Sequence, residues 1–491
     1  MQYPEHLRRL AYAAALISLA LPIGARAEDW LTFGKTAQRQ GYNGQETVLN
    51  GQTVSGLHQL WQFPMNGPIL TQPLLASGIP LDDGTGTGNR VPVDLVYVAD
   101  LTGLAAAFDA GGGGRVWATQ LPAPQTLCGS APNGASGVMG TPVIDKALNR
   151  MWLVPGDGTL WALALDTGNP LPGYPLQIID QSSQNGATFD YGALTYFNGS
   201  LYVPTAGLCD LPPYHGQLIK VTVGTNGTDT PQVAARWYPT GATGPDGGGI
   251  WSFGGASIEA DGSAVYVATG NSLTAPENGG YADQVVKLDP NLQLLAADAP
   301  NLTGVDTDFG ATPLLYQPVN CPPQMAVMNK TGELFVYNRD AAAIASGPAQ
   351  RIAVKQNIAP DGDFIGLPAY DPVSQQLYLG NPKDDVSGTY PHGLLAFGVA
   401  SDCTLSLQWQ QTIGTNATPG SDNPMIPPMV ANGVVYYATG NASSVFAYDS
   451  AGNYLWDSGQ QINRGVFISP TVINGLLLVA DFNGNLTAFG P

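Results

Sequence analysis

A unit of about fifty residues recurs along the chain, and this repeat constrains the fold more than any other feature of the sequence. Each copy has a Pro- or Gly-led apolar run, an aromatic-bearing run, a Gly/Asn turn, an alternating run that ends near Asp, and a fourth run that ends on Trp. Clear copies extend from Thr141 to Leu176 and from Pro427 to Gly459. Such units bury their apolar faces only by packing against one another.

The two ends of the chain hold complementary fragments of this repeat. The last copy, Ser469 to Gly490, has three strand-like runs without the Trp-bearing fourth, whereas Gly56 to Met65 reads as an isolated fourth strand. Four-stranded units leave exposed edges unless they are arranged radially. We therefore predict an all-β fold, an eight-bladed β-propeller of four-stranded blades, with the ring closed by an N-terminal strand that completes the last blade.

The count of eight rests on one marker residue in the second strand of each blade. Two of these markers, Met325 and Leu477, are weak, so seven blades remain the alternative. The markers are Tyr97, Trp152, Tyr202, Tyr266, Met325, Tyr378, Tyr436 and Leu477.

The first residues have the pattern of a secretory signal. Arg8 and Arg9 precede an apolar run from Leu10 to Ile23, and Ala25 and Ala27 provide small residues at a cleavage site. We expect a signal peptide over 1–27, a lead-in over 28–55 and the propeller over 56–491, with periplasmic or secreted localisation. A membrane anchor is the competing interpretation, but the run is short for a span and no lipidation cysteine follows it.

The chain is strongly acidic, with a formal net charge of −19. Removal of the leader deletes three arginines and one glutamate, which lowers the net charge to about −21. Phosphate recognition needs a basic face, so nucleic acid is excluded as a partner. No second apolar stretch reaches spanning length, so no transmembrane segment is expected after cleavage.

Polar residues are predicted to converge at one mouth of the propeller channel. The loop into the first strand and the loop from the second to the third strand lie on the same face of every blade, and such a mouth is the default ligand site. Five residues from three consecutive blades occupy these loops: Asp210, Trp251, Asn271, Asp308 and Lys330. Carboxylate and amide oxygens suit Ca²⁺, and an aromatic plate with a cation suits a planar anion.

These positions resemble those of the pyrroloquinoline quinone (PQQ) dehydrogenases, the eight-bladed quinoprotein alcohol dehydrogenases. The resemblance covers the propeller and is most specific from Gly247 to Asp340, in the segments GGGIW, YVATGN, DFGA and NKTGELFVYNRD. It implies that the cofactors are PQQ and Ca²⁺, and that an alcohol is oxidised by hydride transfer to the quinone. It implies a small alcohol substrate and an external electron acceptor.

The resemblance also implies a role for each of the five residues. Trp251 forms the floor under the quinone and Lys330 contacts its oxygens. Asp210, Asn271 and Asp308 are the metal ligands, and Asp308 is the catalytic base. Asp210 stands where the family has Glu, and Gly310 adds no carboxylate, which favours Ca²⁺ over a lanthanide.

Two departures from the family keep a second function open. The chain has no adjacent cysteine pair to cover the quinone and no Cys-x-x-Cys-His for a haem. The alternative is a non-catalytic propeller of the same repeat family that acts as a protein-interaction or envelope-assembly scaffold, with envelope proteins as partners. Each site residue also has a structural interpretation: Asn271 has turn counterparts at Asn381 and Asn441, and Trp251 could pack in the core.

The four cysteines divide between the two faces of the predicted ring. Cys128 and Cys209 lie in loops on the mouth side, whereas Cys321 and Cys403 lie on the opposite side. Of the three possible pairings, this separation favours Cys128 with Cys209 and Cys321 with Cys403, consistent with an oxidising compartment. Structural bridges between blades are expected rather than redox chemistry, and the first bridge could cover the cofactor in place of the missing adjacent pair.

Overall fold

The architecture is that of a computed structural model, which describes residues 27–112, 114–125, 134–181, 188–226, 230–276, 278–302, 307–354, 366–414, 426–440, 444–462 and 465–491. The predicted signal peptide therefore lies outside the described residues, apart from Ala27. Within the described ranges the regular secondary structure is almost entirely β-strand, with one short α-helix, α1 (Ala341–Ala345), and a few single 3-10 turns. No described helix combines the length and the apolar character that a membrane span needs.

The strand bounds follow the chain through eight blades. Two strands precede blade one: β1 (Tyr42–Asn43) and β2 (His58–Pro64). Blades one and two contain β3 (Leu74–Asp82), β4 (Arg90–Ala99), β5 (Leu104–Asp109), β6 (Arg115–Gln120), β7 (Val143–Asp145), β8 (Arg150–Leu153), β9 (Thr159–Ala164) and β10 (Leu176–Gln177). Blades three and four contain β11 (Thr188–Phe189), β12 (Thr195–Phe197), β13 (Ser200–Gly207), β14 (Gln217–Thr222), β15 (Gln232–Trp237), β16 (Ser257–Ile258), β17 (Val265–Ala268), β18 (Val285–Leu288) and β19 (Leu294–Asp298).

The second half of the chain continues the same order. Blades five and six contain β20 (Leu314–Tyr316), β21 (Gln324–Met328), β22 (Glu333–Asn338), β23 (Gln350–Ala353), β24 (Ala369–Asp371), β25 (Gln376–Asn381), β26 (Gly393–Val399) and β27 (Leu405–Thr412). Blades seven and eight contain β28 (Met429–Ala431), β29 (Val434–Thr439), β30 (Ser444–Asp449), β31 (Tyr454–Asp457), β32 (Thr471–Ile473), β33 (Leu476–Ala480) and β34 (Asn485–Gly490).

The described residues form eight sheets, one for each blade, in which strands that follow one another along the chain pair antiparallel. Strand β1 is added parallel to β28 of blade seven, and β2 is added to β34 of blade eight. All eight marker residues fall on second strands, including the weak ones at Met325 in β21 and Leu477 in β33. The eight-bladed prediction is confirmed. Blade three departs from the pattern because β11 and β12 both pair with β13.

The ring is closed by the N-terminal strand, as predicted. Strand β2 pairs antiparallel with β34, with His58 opposite Gly490 and Pro64 opposite Asn485. It forms the outermost strand of blade eight, whose other three strands come from the C-terminus. The two ends of the chain therefore hold the ring together through one hydrogen-bonded ladder.

The Trp residue that ends several repeats joins neighbouring blades. Its indole Nε1–H donates to a backbone carbonyl of the following blade, and the ring is largely buried at the blade interface. Because a buried indole N–H needs an acceptor, this bond explains why the repeat keeps Trp at this position. The four bonds are Trp61 to Ala110 (3.1 Å), Trp117 to Leu165 (2.8 Å), Trp409 to Ser450 (2.9 Å) and Trp456 to Leu57 (2.9 Å).

The lead-in crosses the innermost strands of the blades at the end of the channel away from the predicted mouth. Its backbone carbonyls accept from N–H groups in the middle or at the end of the first strands of five blades, whereas Asp308 of the predicted site precedes a first strand. The bonds run from Ile144 to Leu31 (2.8 Å), Ile258 to Ala37 (2.9 Å), Leu315 to Gln38 (3.0 Å), Tyr370 to Gln40 (2.9 Å) and Val430 to Gly41 (2.7 Å). The repeat pattern did not predict this path.

Arg39 anchors the lead-in inside the ring and is fully buried. Its Nη1 donates to Thr32 Oγ1 (2.7 Å) and the Phe33 carbonyl (2.8 Å). Its Nη2 donates to the Leu194 carbonyl (3.2 Å) and Thr195 Oγ1, and its Nε donates to a carbonyl of blade four (3.3 Å). Burial lowers the pKa of Arg39 to about 9, but five accepting oxygens match its five N–H donors.

A disulfide joins blades five and six on the face opposite the predicted mouth. Cys321 lies between β20 and β21, and Cys403 lies between β26 and β27. Their Cα atoms are 5.7 Å apart. This is the second of the two bridges that the sequence favoured.

Replacing Arg39 with lysine should destabilise the fold although it keeps the charge. Lysine has three donors in place of five, so at least two buried oxygens lose their partner, at an expected cost of about 2–4 kcal/mol. Denaturant unfolding of Arg39→Lys measures this cost. The control is Arg90→Lys, whose side chain is 48% exposed in a pair with Asp166 and should cost less than about 1 kcal/mol. Equal costs for the two variants would contradict the role of Arg39.

Candidate functional site

A buried ion pair lies at the centre of the predicted mouth. Asp308 precedes the first strand of blade five, and Lys330 follows its second strand. Lys330 Nζ lies 2.8 Å from Asp308 Oδ2, and the two side chains are 10% and 6% exposed. The Lys330 backbone N–H also donates to the Asp308 carbonyl (2.8 Å). Main chain and side chain together fix this pair in place.

Asn271 and Trp251 from blade four surround the ion pair. The Asn271 backbone N–H donates to Asp308 Oδ1 (2.5 Å), so both carboxylate oxygens of Asp308 accept a hydrogen bond. Lys330 Nζ lies 5.1 Å from the centroid of the Trp251 ring, within cation–π range. The site thus combines a carboxylate, an ammonium and an aromatic plate.

Two glycines allow this close packing. A β-carbon on Gly310 would lie 2.3 Å from Trp251 Cη2, and one on Gly270 would lie 3.1 Å from Asp308 Oδ1. The first distance is far shorter than van der Waals contact allows. Glycine at position 310 therefore sets where the indole ring lies.

A ladder of main-chain hydrogen bonds aligns the loops of blades three and four. The Gly247 N–H donates to the Tyr214 carbonyl (2.9 Å), the Gly248 N–H to the Asn271 carbonyl (2.7 Å), and the Gly270 N–H to the Gly249 carbonyl (2.7 Å). Gly247 has a φ of +105°, and a β-carbon there would lie 2.5 Å from the Asn271 carbonyl oxygen. Only glycine fits this position, which explains the Gly-rich run before Trp251.

Asp210 lies in the loop after β13 and is linked to the pair by charge. Its Oδ1 accepts from the Tyr214 hydroxyl (2.6 Å). Asp210 is exposed as a residue, yet desolvation of its carboxyl raises its pKa, with Asp308 acting in the same direction and Lys330 opposing it. Cys209 and Asp210 both have positive φ, 59° and 47°. Such strain in non-glycine residues is concentrated at functional sites.

The residue types present fit a hard cation beside a planar anion. Asp210, Asn271 and Asp308 provide carboxylate and amide oxygens, the ligands that Ca²⁺ prefers. Each carboxylate oxygen keeps acceptor capacity beyond the one hydrogen bond described here. The described residues contain no group of three or more His, Cys, Asp or Glu side chains arranged to hold a metal, so the amide of Asn271 is needed to complete any such ligand set.

The structure brings Trp251, Asn271, Asp308 and Lys330 into one connected group, with Asp210 coupled to it electrostatically. The sequence assigned no role to Tyr214, Gly247 or Gly270, and for Gly310 it indicated only the lack of a carboxylate, not the contact with Trp251. The Gly-rich run was the available signal for Gly247, because consecutive glycines before an aromatic residue indicate close backbone approach. No local pattern marked Tyr214, which acts through a contact within the mouth loop.

Two predictions, the bridge between Cys128 and Cys209 and the turn counterparts of Asn271, involve residues outside the described part of the chain. Cys209 is disulfide-bonded, whereas Cys128, its expected partner, is not among the described residues. Asn381, the turn counterpart of Asn271, is buried and donates to the Val354 carbonyl (2.7 Å). Asn441, the other counterpart, also lies outside the described part of the chain.

A cavity of about 410 Å³ opens beside the Asp210 loop. Its size lies within the range of small-molecule sites. Its lining is mixed in polarity, and His215 Nε2 lies 3.9 Å from Asp246 Oδ1 at this edge. The cavity is lined by Asp180, Pro213, His215, Gln217, Arg236, Tyr238 and Ala242.

No protein-family model and no curated protein sequence matches the chain. Among solved structures, it is similar to a quinohemoprotein alcohol dehydrogenase from Comamonas testosteroni (TM-score 0.68, 16% identity, 95% of this chain and 81% of that one). It is also similar to a europium-containing methanol dehydrogenase (TM-score 0.69, 14% identity, 94% and 98%). BamB from Moraxella catarrhalis is more distant (TM-score 0.52, 11% identity, 89% and 98%). At these identities the likeness shows the fold.

Removing the ammonium of Lys330 should leave Asp308 as a buried charge without its counter-ion. Lys330→Met should therefore cost about 3–5 kcal/mol of unfolding free energy, and adding Asp308→Asn should recover most of that loss. Denaturant unfolding of the single and double variants gives the coupling energy.

The matched control for this cycle is an exposed ion pair in the same blade. Arg351 pairs with Glu333 at 2.5 Å, and the Arg351 side chain is 36% exposed. The cycle of Arg351→Met with Glu333→Gln should give a coupling below about 1 kcal/mol. A coupling for Lys330 and Asp308 no larger than this value would show that their pair is not a strong buried interaction.

Proposed function

We propose that this protein is a periplasmic or secreted quinoprotein-like propeller that binds PQQ and Ca²⁺ and oxidises an alcohol. The observation that supports this most directly is the Asp308–Lys330 pair beside Trp251, built from two consecutive blades. A buried carboxylate with a fixed counter-ion next to an aromatic plate suits a charged planar ligand and proton transfer. The fold shared with the quinoprotein dehydrogenases adds support.

Asp210, Asn271 and Asp308 would hold the Ca²⁺. The backbone N–H of Asn271 donates to Asp308 Oδ1, which holds the Asn271 backbone next to the carboxylate. The raised pKa of Asp210 means that a cation must compete with a proton at that carboxyl. Gly310 offers no further carboxylate at the point where a larger charge would need one.

Trp251 and Lys330 would bind the quinone, and Asp308 would act as the general base. PQQ supplies, when bound, the acceptor for the hydride that leaves the alcohol carbon. Asp308 would take the proton of the alcohol hydroxyl on an acceptor site that remains, since each of its oxygens accepts one hydrogen bond from Asn271 or Lys330. Lys330 provides positive charge where negative charge develops.

The proposal also includes the domain bounds, the electron acceptor and the expected disulfide at Cys209. Residues 1–27 form the signal peptide, residues 28–55 the lead-in and residues 56–491 the propeller. The sequence has no haem-attachment motif, so the electrons pass to an external acceptor. Cys209 lies one residue before Asp210, which supports a bridge that covers the mouth.

An envelope-assembly scaffold is the second candidate function. It is favoured by the lack of an adjacent cysteine pair and by the likeness to BamB over 89% of this chain. In that case the mouth loops bind protein partners, and the ion pair at Asp308 orders these loops. The two functions differ in whether the mature protein binds PQQ.

Calorimetric titration of the mature protein with PQQ, with and without Ca²⁺, separates the two functions. We expect binding that needs Ca²⁺ and weakens at least tenfold in Asp210→Asn and Asn271→Ala, because each change removes a metal-binding oxygen. Asn291→Ala is the control, since Asn291 lies in the turn between β18 and β19 on the opposite face. No binding under either condition would make the scaffold the working assignment.

Turnover tests the base separately from binding. Asp308→Asn should lower PQQ-dependent dye reduction with an alcohol by about 10²–10⁴-fold, because the amide cannot accept the proton. Circular dichroism checks that the variant is folded. Asp340→Asn, which caps α1 through a bond to Ala343, should keep full turnover. Retained turnover in Asp308→Asn would remove Asp308 from the base role.

A further inference from the structure

Asp190, which is not part of the group around Asp308, is also a buried aspartate. It is 3% exposed, and neither carboxyl oxygen has a hydrogen-bond partner. Thr205 is fully buried, and its hydroxyl also lacks a partner. Buried polar atoms in folded proteins are nearly always hydrogen-bonded, and those that are not indicate an ion, a water or a ligand.

The strand register brings these oxygens to one face. In the pairing of β11 with β13, Thr188 lies opposite Gly207 and Phe189 lies opposite Ala206. The next position along this register sets Asp190 opposite Thr205. Side chains of directly opposed residues in an antiparallel pair lie on the same face, within reach of one another.

A main-chain oxygen completes the group. A β-carbon built on Gly140 would lie 2.6 Å from Asp190 Oδ2 and 2.3 Å from the Gly192 carbonyl oxygen. Both oxygens therefore border the same small region next to Gly140. Glycine at position 140 keeps this region free of a side chain.

Asp190 lacks the ammonium and backbone N–H partners that the carboxylate of Asp308 has. The two residues begin the same local sequence, Asp-aromatic-Gly-Ala, ahead of the inner strands of blades three and five. Asp308 has the ammonium of Lys330 at 2.8 Å and a backbone N–H at 2.5 Å. Burial raises the pKa of Asp190 well above the usual range, and desolvation is its cause. Asp308 therefore has a counter-ion from its own blade, whereas the described residues provide none for Asp190.

We propose that Asp190, Thr205 and the Gly192 carbonyl form a binding site for a monovalent alkali cation, Na⁺ or K⁺. The oxygens are of the hard type that such ions prefer. A single carboxylate balances one positive charge, whereas a divalent ion would leave an uncompensated charge in a buried position. This site needs neither PQQ nor Ca²⁺.

A polar row connects the site to the cavity beside the mouth. Thr205 lies opposite Gln217 in the pairing of β13 with β14, so Asp190, Thr205 and Gln217 follow one another across the same face of blade three. Gln217 lines the cavity of about 410 Å³, together with the carboxylate of Asp180. At the cavity end of this row, Gln217 Oε1 accepts from Arg236 Nη1 (2.8 Å), so a positive charge already lies there.

Thermal unfolding of the mature protein in different salts tests the proposal. At equal ionic strength and without PQQ, we expect the midpoint in NaCl or KCl to exceed that in tetramethylammonium chloride by about 2 °C or more, because a ligand that binds only the folded state stabilises it. The larger of the NaCl and KCl responses identifies the preferred ion. Tetramethylammonium is too large for the site and has no coordination chemistry.

Two variants locate the effect. Asp190→Asn should unfold at a higher temperature than the wild type in tetramethylammonium chloride, since it removes a buried uncompensated carboxyl, and should lose the response to Na⁺ and K⁺. Thr205→Val keeps the side-chain shape and should weaken the response by removing one oxygen. Asp298→Asn is the control: its carboxyl also has a raised pKa, but it accepts from Tyr337 at 2.8 Å, so the cation response should persist.

Crystals soaked in thallous acetate provide a direct readout, because Tl⁺ substitutes for K⁺ and scatters anomalously. An anomalous peak bordered by Asp190 and Thr205 supports the site. The proposal is overturned if Asp190→Asn keeps the wild-type cation response, if no anomalous peak occurs there, or if only CaCl₂ stabilises the protein. The last result would assign the effect to the Ca²⁺ site of the proposed function.

Discussion

Closure of the ring by the β2–β34 ladder is the interaction on which the rest of the structure depends. A blade buries both faces only when a neighbour stands on each side, so an open ring would expose two apolar faces. The ladder between His58–Pro64 and Asn485–Gly490 joins residues from the two ends of the chain. Bringing the two ends of the chain together has an entropy cost, which grows only slowly with the length of the loop. Once the ladder has formed, every blade has a neighbour on each side.

The lead-in reinforces this closure from inside the ring. It bonds successively to the first strands of the blades, and Arg39 uses all five donors on oxygens of the lead-in and of blades three and four. A buried cation without a carboxylate partner is tolerated when dipoles satisfy every donor. The first strands are thereby held in place, and the segments that lead into two of them carry Asp190 and Asp308.

The candidate site is rigid for reasons that are mostly main-chain. Backbone bonds join Gly247 to Tyr214 and Gly248 to Asn271, and the Asn271 N–H donates to the side-chain carboxylate of Asp308. The backbone of these loops is therefore fixed before a ligand binds, and the contacts of Lys330 with Asp308 and Trp251 restrain the side chains. The pKa of Asp210 is raised by desolvation and by Asp308 and lowered by Lys330. A cation bound in the mouth would lower it further.

The sequence by itself determined the eight blades, the closure by Gly56 to Met65 and the loops that carry Trp251, Asn271, Asp308 and Lys330, because strand periodicity and turn residues are local signals. Only the tertiary structure decided which of these residues touch, the path of the lead-in and the burial of Arg39. It also decided that Asp308 has a cation beside it while Asp190, in the same local sequence, has none. Such differences arise from contacts between distant segments, and no local pattern encodes them.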